Sequence, residues 1–167
     1  MEWLTELLHA RHDRAGFSCG KPVLDNYFHR QANQDVRRRL SACFVWVNAE
    51  SGLVKGYYTL SNSGVEQHFI PDSFRKKLPP SYTSLPTTLL GRLAVDTRFQ
   101  GTRAGQLLLV DALRRSYEAS KSIASYAAVV DPLDPDAARF YAKFGFITLP
   151  DSGKMFLPMN TISQLFR

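Results

Sequence analysis

A chain of 167 residues is long enough for one domain with a proper core. With 44% hydrophobic and 22% charged residues it has the balance of a soluble globular protein, and no stretch approaches the ~20 apolar residues that would span a bilayer. The formal net charge of +6 admits an anionic partner, such as RNA, a nucleotide cofactor or an acidic protein, without requiring one.

The opening tetrapeptide, Met1-Glu2-Trp3-Leu4, has no basic region followed by an apolar run, so no signal peptide is expected. Residues 3–9 read as a first edge strand and residues 12–16 as a loop. Pro22 suits the first turn of a helix. Leu24, Tyr27, Phe28, Gln31 and Ala32 recur at helical spacing, which predicts one helix continuing to about Asp35. Arg37, Arg38 and Arg39 follow, where cations favour a helix C-terminus and where a nucleic-acid contact is the sharper reading. Cys19 and Cys43 make no disulfide framework and no metal cluster. They read as reduced, buried thiols of a cytoplasmic protein.

Residues 41–48 and 53–61 read as a hairpin around a glycine-containing loop. Gly56 in the returning strand marks a bulge or a close backbone approach. Residues 65–69 extend the sheet. Residues 71–78 form one or two helical turns with Arg75, Lys76 and Lys77 exposed, and residues 81–88 are an irregular approach to the next strand.

Leu89, Leu90, Leu93, Ala94 and Val95 form a short apolar run rich in branched residues, as in a core strand. Gln100-Gly101-Thr102-Arg103-Ala104-Gly105 is a loop with two glycines. From Ala104 to about Ser120, Leu107, Leu108, Val110, Asp111, Leu113 and Arg114 fit a helix with one apolar face. The first helical turn leaves N–H donors without intrahelical partners at the positive end of the dipole, a natural seat for a diphosphate. The bland alternative is a strand–helix turn with glycines for geometry alone. Neither G-x-x-x-x-G-K-[ST] nor a G-x-G-x-x-G directly after a strand is present.

Residues 123–130 read as a further buried strand. Asp134 is placed to cap a helix with Pro135 at its first position. That helix runs from Asp136 to Phe144 and closes at Gly145. Residues 146–148 and 154–159 are strands, and residues 161–166 a terminal helical turn. Antiparallel hairpins followed by alternating strands and helices argue for a mixed α/β sheet.

The 100–105 loop resembles the core motif of the GNAT superfamily of acyl-CoA N-acetyltransferases: Gln or Arg, two residues, Gly, one residue, then Gly or Ala. Gln100 matches its first position and Gly105 its last, while Arg103 stands where the middle glycine is usual. Arg tolerates positive φ poorly, yet places a guanidinium where phosphates would lie. Ala137-x-x-Phe140-Tyr141-x-x-x-Gly145-Phe146 is the second part of the resemblance. It is narrowed by Phe17-x-Cys19-Gly20-x-x-x-Leu24-Asp25-x-Tyr27, by Gly56-Tyr57-Tyr58-x-Leu60-Ser61, by Leu90-Gly91-Arg92-Leu93-Ala94-Val95-Asp96 and by Val130-Asp131. Together these resemble the GNAT toxins of bacterial toxin–antitoxin pairs.

The resemblance implies one GNAT domain over residues 1–167. Its fold would be a mixed, mostly antiparallel twisted sheet of six to seven strands, splayed at the central strand, with helices on both faces. It implies acetyl-CoA as donor and no metal. Donor contacts would come from Leu93, Ala94 and Val95, from Gln100, Gly101, Thr102, Arg103, Ala104 and Gly105, and from Asp131, Ala137 and Phe140. Tyr141 would be the general acid that protonates the leaving thiolate. A phenol is protonated at pH 7 without special tuning. The opposing reading packs Phe140, Tyr141, Phe144 and Phe146 as one aromatic core stripe.

No carboxylate or histidine stands out as a general base. Asp131, Asp134 and Asp136 read as ordinary turn and cap residues. This leans the acceptor toward an α-amine, whose pKa of about 8 leaves much of it unprotonated. By resemblance the acceptor is the α-amine of aminoacyl-tRNA, the partner a ribbon-helix-helix antitoxin, and the assembly a homodimer. Arg37, Arg38, Arg39, Arg75, Lys76, Lys77 and Arg92 become a tRNA footprint on this reading. The alternatives are an acetyltransferase for a small amine or a protein amine, and a non-catalytic acyl-CoA-binding module.

Overall fold

The computed structural model describes residues 2–167; Met1, the first residue of the tetrapeptide read for a leader, lies outside the described residues. Seven strands form one mixed sheet in the order β1-β2-β3-β4-β5-β7-β6. They are β1 (Glu6–Leu7), β2 (Ala42–Val47), β3 (Val54–Glu66), β4 (Ser84–Val95), β5 (Ala127–Val130), β6 (Ile147–Thr148) and β7 (Met155–Pro158). The β1–β2, β2–β3, β5–β7 and β6–β7 pairs are antiparallel, and β4–β5 is parallel. The helices are α1 (Pro22–Arg30), α2 (Ala32–Arg37), α3 (Asp72–Arg75), α4 (Ala104–Ser120), α5 (Pro135–Lys143) and α6 (Met159–Gln164).

The chain divides into two compact units, Met1–Ser61 with Gly91–Leu113, and Asn62–Leu90 with Arg114–Arg167. In the first, Phe28 and Tyr57 stack with centroids 4.4 Å apart, and Phe17 meets Phe28 edge-on at 4.9 Å. Leu8, Val45, Val54 and Ala94 complete that core. Gly56 lies beside a register shift between Trp46 and Val47. A Cβ there would come 2.9 Å from the Ala94 carbonyl oxygen and 3.1 Å from Leu108 Cδ2, so the expected close approach and the expected bulge both occur. The second unit buries Val65, Leu85, Ala127, Val129, Leu149 and Phe156, with Phe74 edge-on to Phe156 at 5.4 Å.

Several expectations are corrected. The single helix over residues 24–35 is two, broken at Gln31, which serves both as cap of α1 and as start of α2. The approach to the central strand is not irregular: β4 begins at Ser84, and the carbonyl of Pro86, which cannot itself donate, accepts from Tyr126 N–H. β3 runs unbroken to Glu66 before a single 3₁₀ turn over Gln67–Phe69. The strand expected from residue 123 starts only at Ala127, and Ile123 is exposed. On α4, Leu107 and Val110 are exposed, whereas Leu108, Leu109, Ala112 and Leu113 are buried. The buried stripe therefore carries Leu109 and Ala112 in place of Leu107 and Val110, and Asp111 points inward to hydrogen-bond partners.

Candidate active site

The first unit carries the 100–105 loop expected to hold the donor's diphosphate. Asp96 follows the last residue of β4 and is 1% exposed. Its carboxylate caps the 3₁₀ turn Thr97–Phe99 by accepting from Arg98 N–H at 2.9 Å, and it holds the Arg98 guanidinium at 2.8 Å through Nε. Burial alone would raise the Asp96 carboxyl pKa, but the hydrogen bonds from Arg98 and from Ser18 N–H outweigh burial and hold it below the usual range. Gln100 Nε2 donates to Cys19 O at 3.0 Å and to Val95 O at 2.8 Å. Thr102 Oγ donates to Phe99 O at 2.6 Å. Gly101 and Arg103 both lie in the left-handed region, with φ of 82° and 62°. Arg103 thus takes on the conformation for which the family motif uses glycine, at a cost of roughly 1 kcal/mol. Ala104 opens α4 and is buried, and Leu107 N–H closes the first turn on Arg103 O at 3.1 Å. The amides ahead of Leu107 have no intrahelical acceptor by helix geometry, so an anion can take them.

Of the strand residues assigned to the donor, Ala94 is buried and Leu93 and Val95 are half-buried. The parallel ladder between β4 and β5 ends at Leu90↔Val130. Arg92, Leu93, Ala94 and Val95 lie beyond that end.

The second unit carries α5. Asp134 caps it, accepting from Ala137 N–H at 2.8 Å, with Pro135 first in the helix. Gly145, at φ 92°, follows the last turn as a C-terminal stop. Tyr141 is buried, with Phe140 and Phe146 both edge-on at 5.3 Å. Burial pushes its phenol pKa well above the ordinary value, so the hydroxyl stays protonated at neutral pH. Phe140 and Ala137 are half-buried and Asp131 is exposed. Asp136 is exposed and paired with Arg139. The aromatic stripe and the phenol share one helix, so the core reading and the acid reading of Tyr141 do not exclude one another.

The basic residues separate by environment. Arg37, Arg38 and Arg39 are exposed at the end of α2. Arg39 has φ of 58°, and Leu40 N–H returns to Asp35 O at 2.9 Å, a glycine-type helix stop made with arginine. Lys76 and Lys77 are exposed. Arg75, expected to be exposed, is half-buried and bonded to Asp72 at 2.8 Å. Arg92 is half-buried too, its guanidinium 3.4 Å from the centroid of the Tyr27 ring.

Sequence reasoning missed three carboxylates. Asp96 is the hub of the donor loop. Asp111 accepts from Thr5 Oγ at 2.6 Å, Tyr58 OH at 2.7 Å and Leu4 N–H at 2.9 Å. Asp35 accepts from Tyr27 OH at 2.8 Å. Only Asp111 left a signal, as a lone carboxylate inside the run Leu107-Leu108-Leu109-Val110-Asp111-Ala112-Leu113. Both cysteines are free and buried, and burial pushes the Cys19 thiol up to about 11 and the Cys43 thiol to about 12, so neither is an activated nucleophile. Among the described residues no group of three or more His, Cys, Asp or Glu could hold a metal ion, and no helix is long and apolar enough to cross a membrane.

Comparison with known proteins gives this geometry a context. A tRNA-acetylating toxin of Mycobacterium tuberculosis is 36% identical over 138 residues, covering 83% of this chain and 80% of the toxin. A probable toxin TacT of Sinorhizobium fredii is 29% identical over 93% of this chain and 90% of its own. Among solved structures, AtaT complexed with acetyl-methionyl-tRNAfMet superposes with a TM-score of 0.89 at 30% identity, covering 99% of this chain and 100% of that one. A mutant AtaT toxin bound to the C-terminus of the antitoxin AtaR and acetyl-CoA superposes with a TM-score of 0.82 at 26% identity, covering 97% and 96%. The sequence pattern of the acetyltransferase (GNAT) family matches residues 6–146, across both units, and the chain belongs to that family.

Proposed function

We propose that this protein is an acetyl-CoA-dependent N-acetyltransferase that acetylates the α-amine of aminoacyl-tRNA and, as a toxin, blocks translation. The observation that carries the reading is the near full-length match to AtaT in complex with acetyl-methionyl-tRNAfMet. The 100–105 loop adds support, since its amides and its left-handed residues suit a diphosphate.

In the reaction, the free amine of the aminoacyl ester attacks the thioester carbon. A C–N bond forms and the carbonyl oxygen becomes an oxyanion, for which backbone N–H groups of β4 are the available donors. Collapse breaks the C–S bond, and the thiolate takes its proton from the Tyr141 hydroxyl. The phenolate recovers a proton from the former ammonium by way of solvent. Burial keeps the Tyr141 hydroxyl protonated at neutral pH, so the proton is there to give. Leu93, Ala94 and Val95 accompany the pantetheine and Gly101, Thr102, Arg103, Ala104 and Gly105 the diphosphate, with Asp131, Ala137 and Phe140 as further cofactor contacts.

Arg37, Arg38, Arg39, Lys76 and Lys77 are the exposed cations we assign to the phosphate backbone of tRNA. The assignment extends to an antitoxin of ribbon-helix-helix type, to a homodimer and to the cytoplasm, where both substrates are found. The test is incubation of the protein with total aminoacyl-tRNA and labelled acetyl-CoA, followed by digestion and identification of the modified residue. Label on the α-amine of an aminoacyl ester is the expected result. Label only on a small amine or a protein amine would move the acceptor, and acetyl-CoA binding without turnover would leave a binding module.

A further inference from the structure

The sequence block from Phe17 to Asp25 has no part in the reaction just described, yet it is bonded to the donor loop along its length. Phe17 anchors it in the core. From α1, Asp25 accepts from Cys19 N–H at 2.8 Å and from Ser18 Oγ at 3.1 Å. From the donor side, Asp96 accepts from Ser18 N–H at 3.0 Å, and Thr97 N–H donates to Ser18 O at 2.8 Å. Gln100 Nε2 then reaches Cys19 O, 81 positions away, as well as Val95 O. A primary amide nitrogen has two hydrogens, so these two carbonyls use both and none is left for a phosphate.

We propose that Gln100 and Asp96 are positioning residues for the cofactor's diphosphate, acting by tying the donor loop to the strap of residues 17–20. This rests on the acetyl-CoA reading above. The amides of residues 101–105 touch the phosphates, and the strap sets where those amides point. The motif's tolerance of Gln or Arg at its first position fits the role, because both side chains carry the multiple N–H donors that a two-carbonyl brace needs.

The brace is made wholly of protein groups, so it can be tested without the cofactor. In the cofactor-free protein, Gln100→Leu is expected to raise amide hydrogen exchange of Ser18, Cys19, Thr97 and Arg98, whose N–H groups are bonded within the brace, at least tenfold while leaving β5 and β7 protected. The same variant should weaken acetyl-CoA binding in calorimetry by about tenfold, the equivalent of two lost hydrogen bonds of modest worth. At saturating acetyl-CoA its kcat should stay within about twofold of wild type, since a positioning loss falls on KM. Gln100→Arg, which keeps the donors, should restore both exchange and affinity, and Asp96→Asn should repeat the exchange phenotype at Ser18 and Cys19. Weaker binding with unchanged exchange in the free protein would make Gln100 a direct phosphate ligand and overturn the proposal. Unchanged binding would overturn it as well. Failure of the wild type to bind acetyl-CoA would instead end the donor reading on which it rests.

Discussion

Two parts of the molecule do complementary work and are held differently. The 100–105 loop is tied by side-chain hydrogen bonds from residues distant in sequence: Asp96 to Ser18, Gln100 to Cys19, and, on the helix that follows, Asp111 to Leu4, Thr5 and Tyr58. Around Tyr141 the support is apolar and local: Phe140 and Phe146 against the ring, one aspartate cap at the head of α5, one glycine at its tail. A loop of small residues has little surface to bury, so it needs directional bonds to keep one shape. A phenol in an aromatic pocket is fixed by packing and leaves its hydroxyl for chemistry. Function and stability should therefore come apart in opposite ways at the two places.

The largest expected effect is on chemistry, at Tyr141. Tyr141→Phe should lower kcat by about 10²–10⁴-fold, the range for a lost general acid, with acetyl-CoA affinity unchanged. Thermal unfolding should shift by no more than a degree or two, since the ring stays packed. The wild-type rate should rise as the α-amine loses its proton near pH 8 and should not fall again by pH 10, because burial keeps the Tyr141 phenol protonated through that range. An alkaline fall that Tyr141→Phe abolishes would contradict this. A stability loss in Tyr141→Phe as large as its activity loss would erase the contrast between the two regions.

Asp111 is the opposite case. Asp111→Ala removes the shared acceptor of two hydroxyls and a backbone N–H in the first core, and the expected loss is about 3 kcal/mol. For a domain of this size that corresponds to roughly 6–12 °C in Tm. Enzyme that remains folded at low temperature should keep its kcat. A drop below about 1 kcal/mol would mean that the polar hub contributes little and that the donor side is held by packing after all.

These two sites also mark how far the sequence could be read. The helix that carries Tyr141 was legible because it is a local object: Asp134, Pro135 and Gly145 fix its ends. The turn before α4 was legible for a similar reason, since its glycines and the following apolar run lie within residues 89–113. Its braces were not, because a bond from Gln100 to Cys19 spans 81 positions and depends on which carbonyl the fold brings near. Arg92 looked like a surface cation and is a ring-stacked one, since no periodicity announces that Tyr27 lies beneath it. The α4 stripe was misread in part: Leu107 and Val110 lie outside and Leu109 and Ala112 inside, while three donors hold Asp111 inside. Gln31 ended a helix that the hydrophobic spacing alone would have continued.

Acid titration gives a finer cut through the donor side. The Asp96 carboxyl has a folded pKa held below its unfolded value of about 3.9 by its hydrogen bonds. The stabilisation it provides is therefore full above the unfolded pKa and is lost as pH falls through the folded one. The stability difference between wild type and Asp96→Asn in urea titrations should be constant from pH 5 to 8 and should shrink below about pH 4. A difference that persists unchanged at pH 2.5 would show that ionisation of Asp96 is not what holds the strap.

The smallest effect is expected at Arg103, where the two demands on the loop meet in one residue. Its φ of 62° costs an arginine roughly 1 kcal/mol that glycine would not incur. Glycine in turn gives the unfolded chain about 0.5–1 kcal/mol more conformational entropy. The two nearly cancel, so Arg103→Gly should move stability by less than about 0.5 kcal/mol. What glycine cannot replace is the exposed guanidinium. An exposed charge contact is worth about 0.2–1 kcal/mol and is screened by salt. Acetyl-CoA affinity of Arg103→Gly should accordingly fall by about threefold at low ionic strength and converge with wild type near 0.5 M salt. Convergence would mean that arginine accepts backbone strain in exchange for charge at the phosphates. Equal affinities at all salt concentrations would mean that the loop binds by its backbone alone, as the glycine form of the motif does.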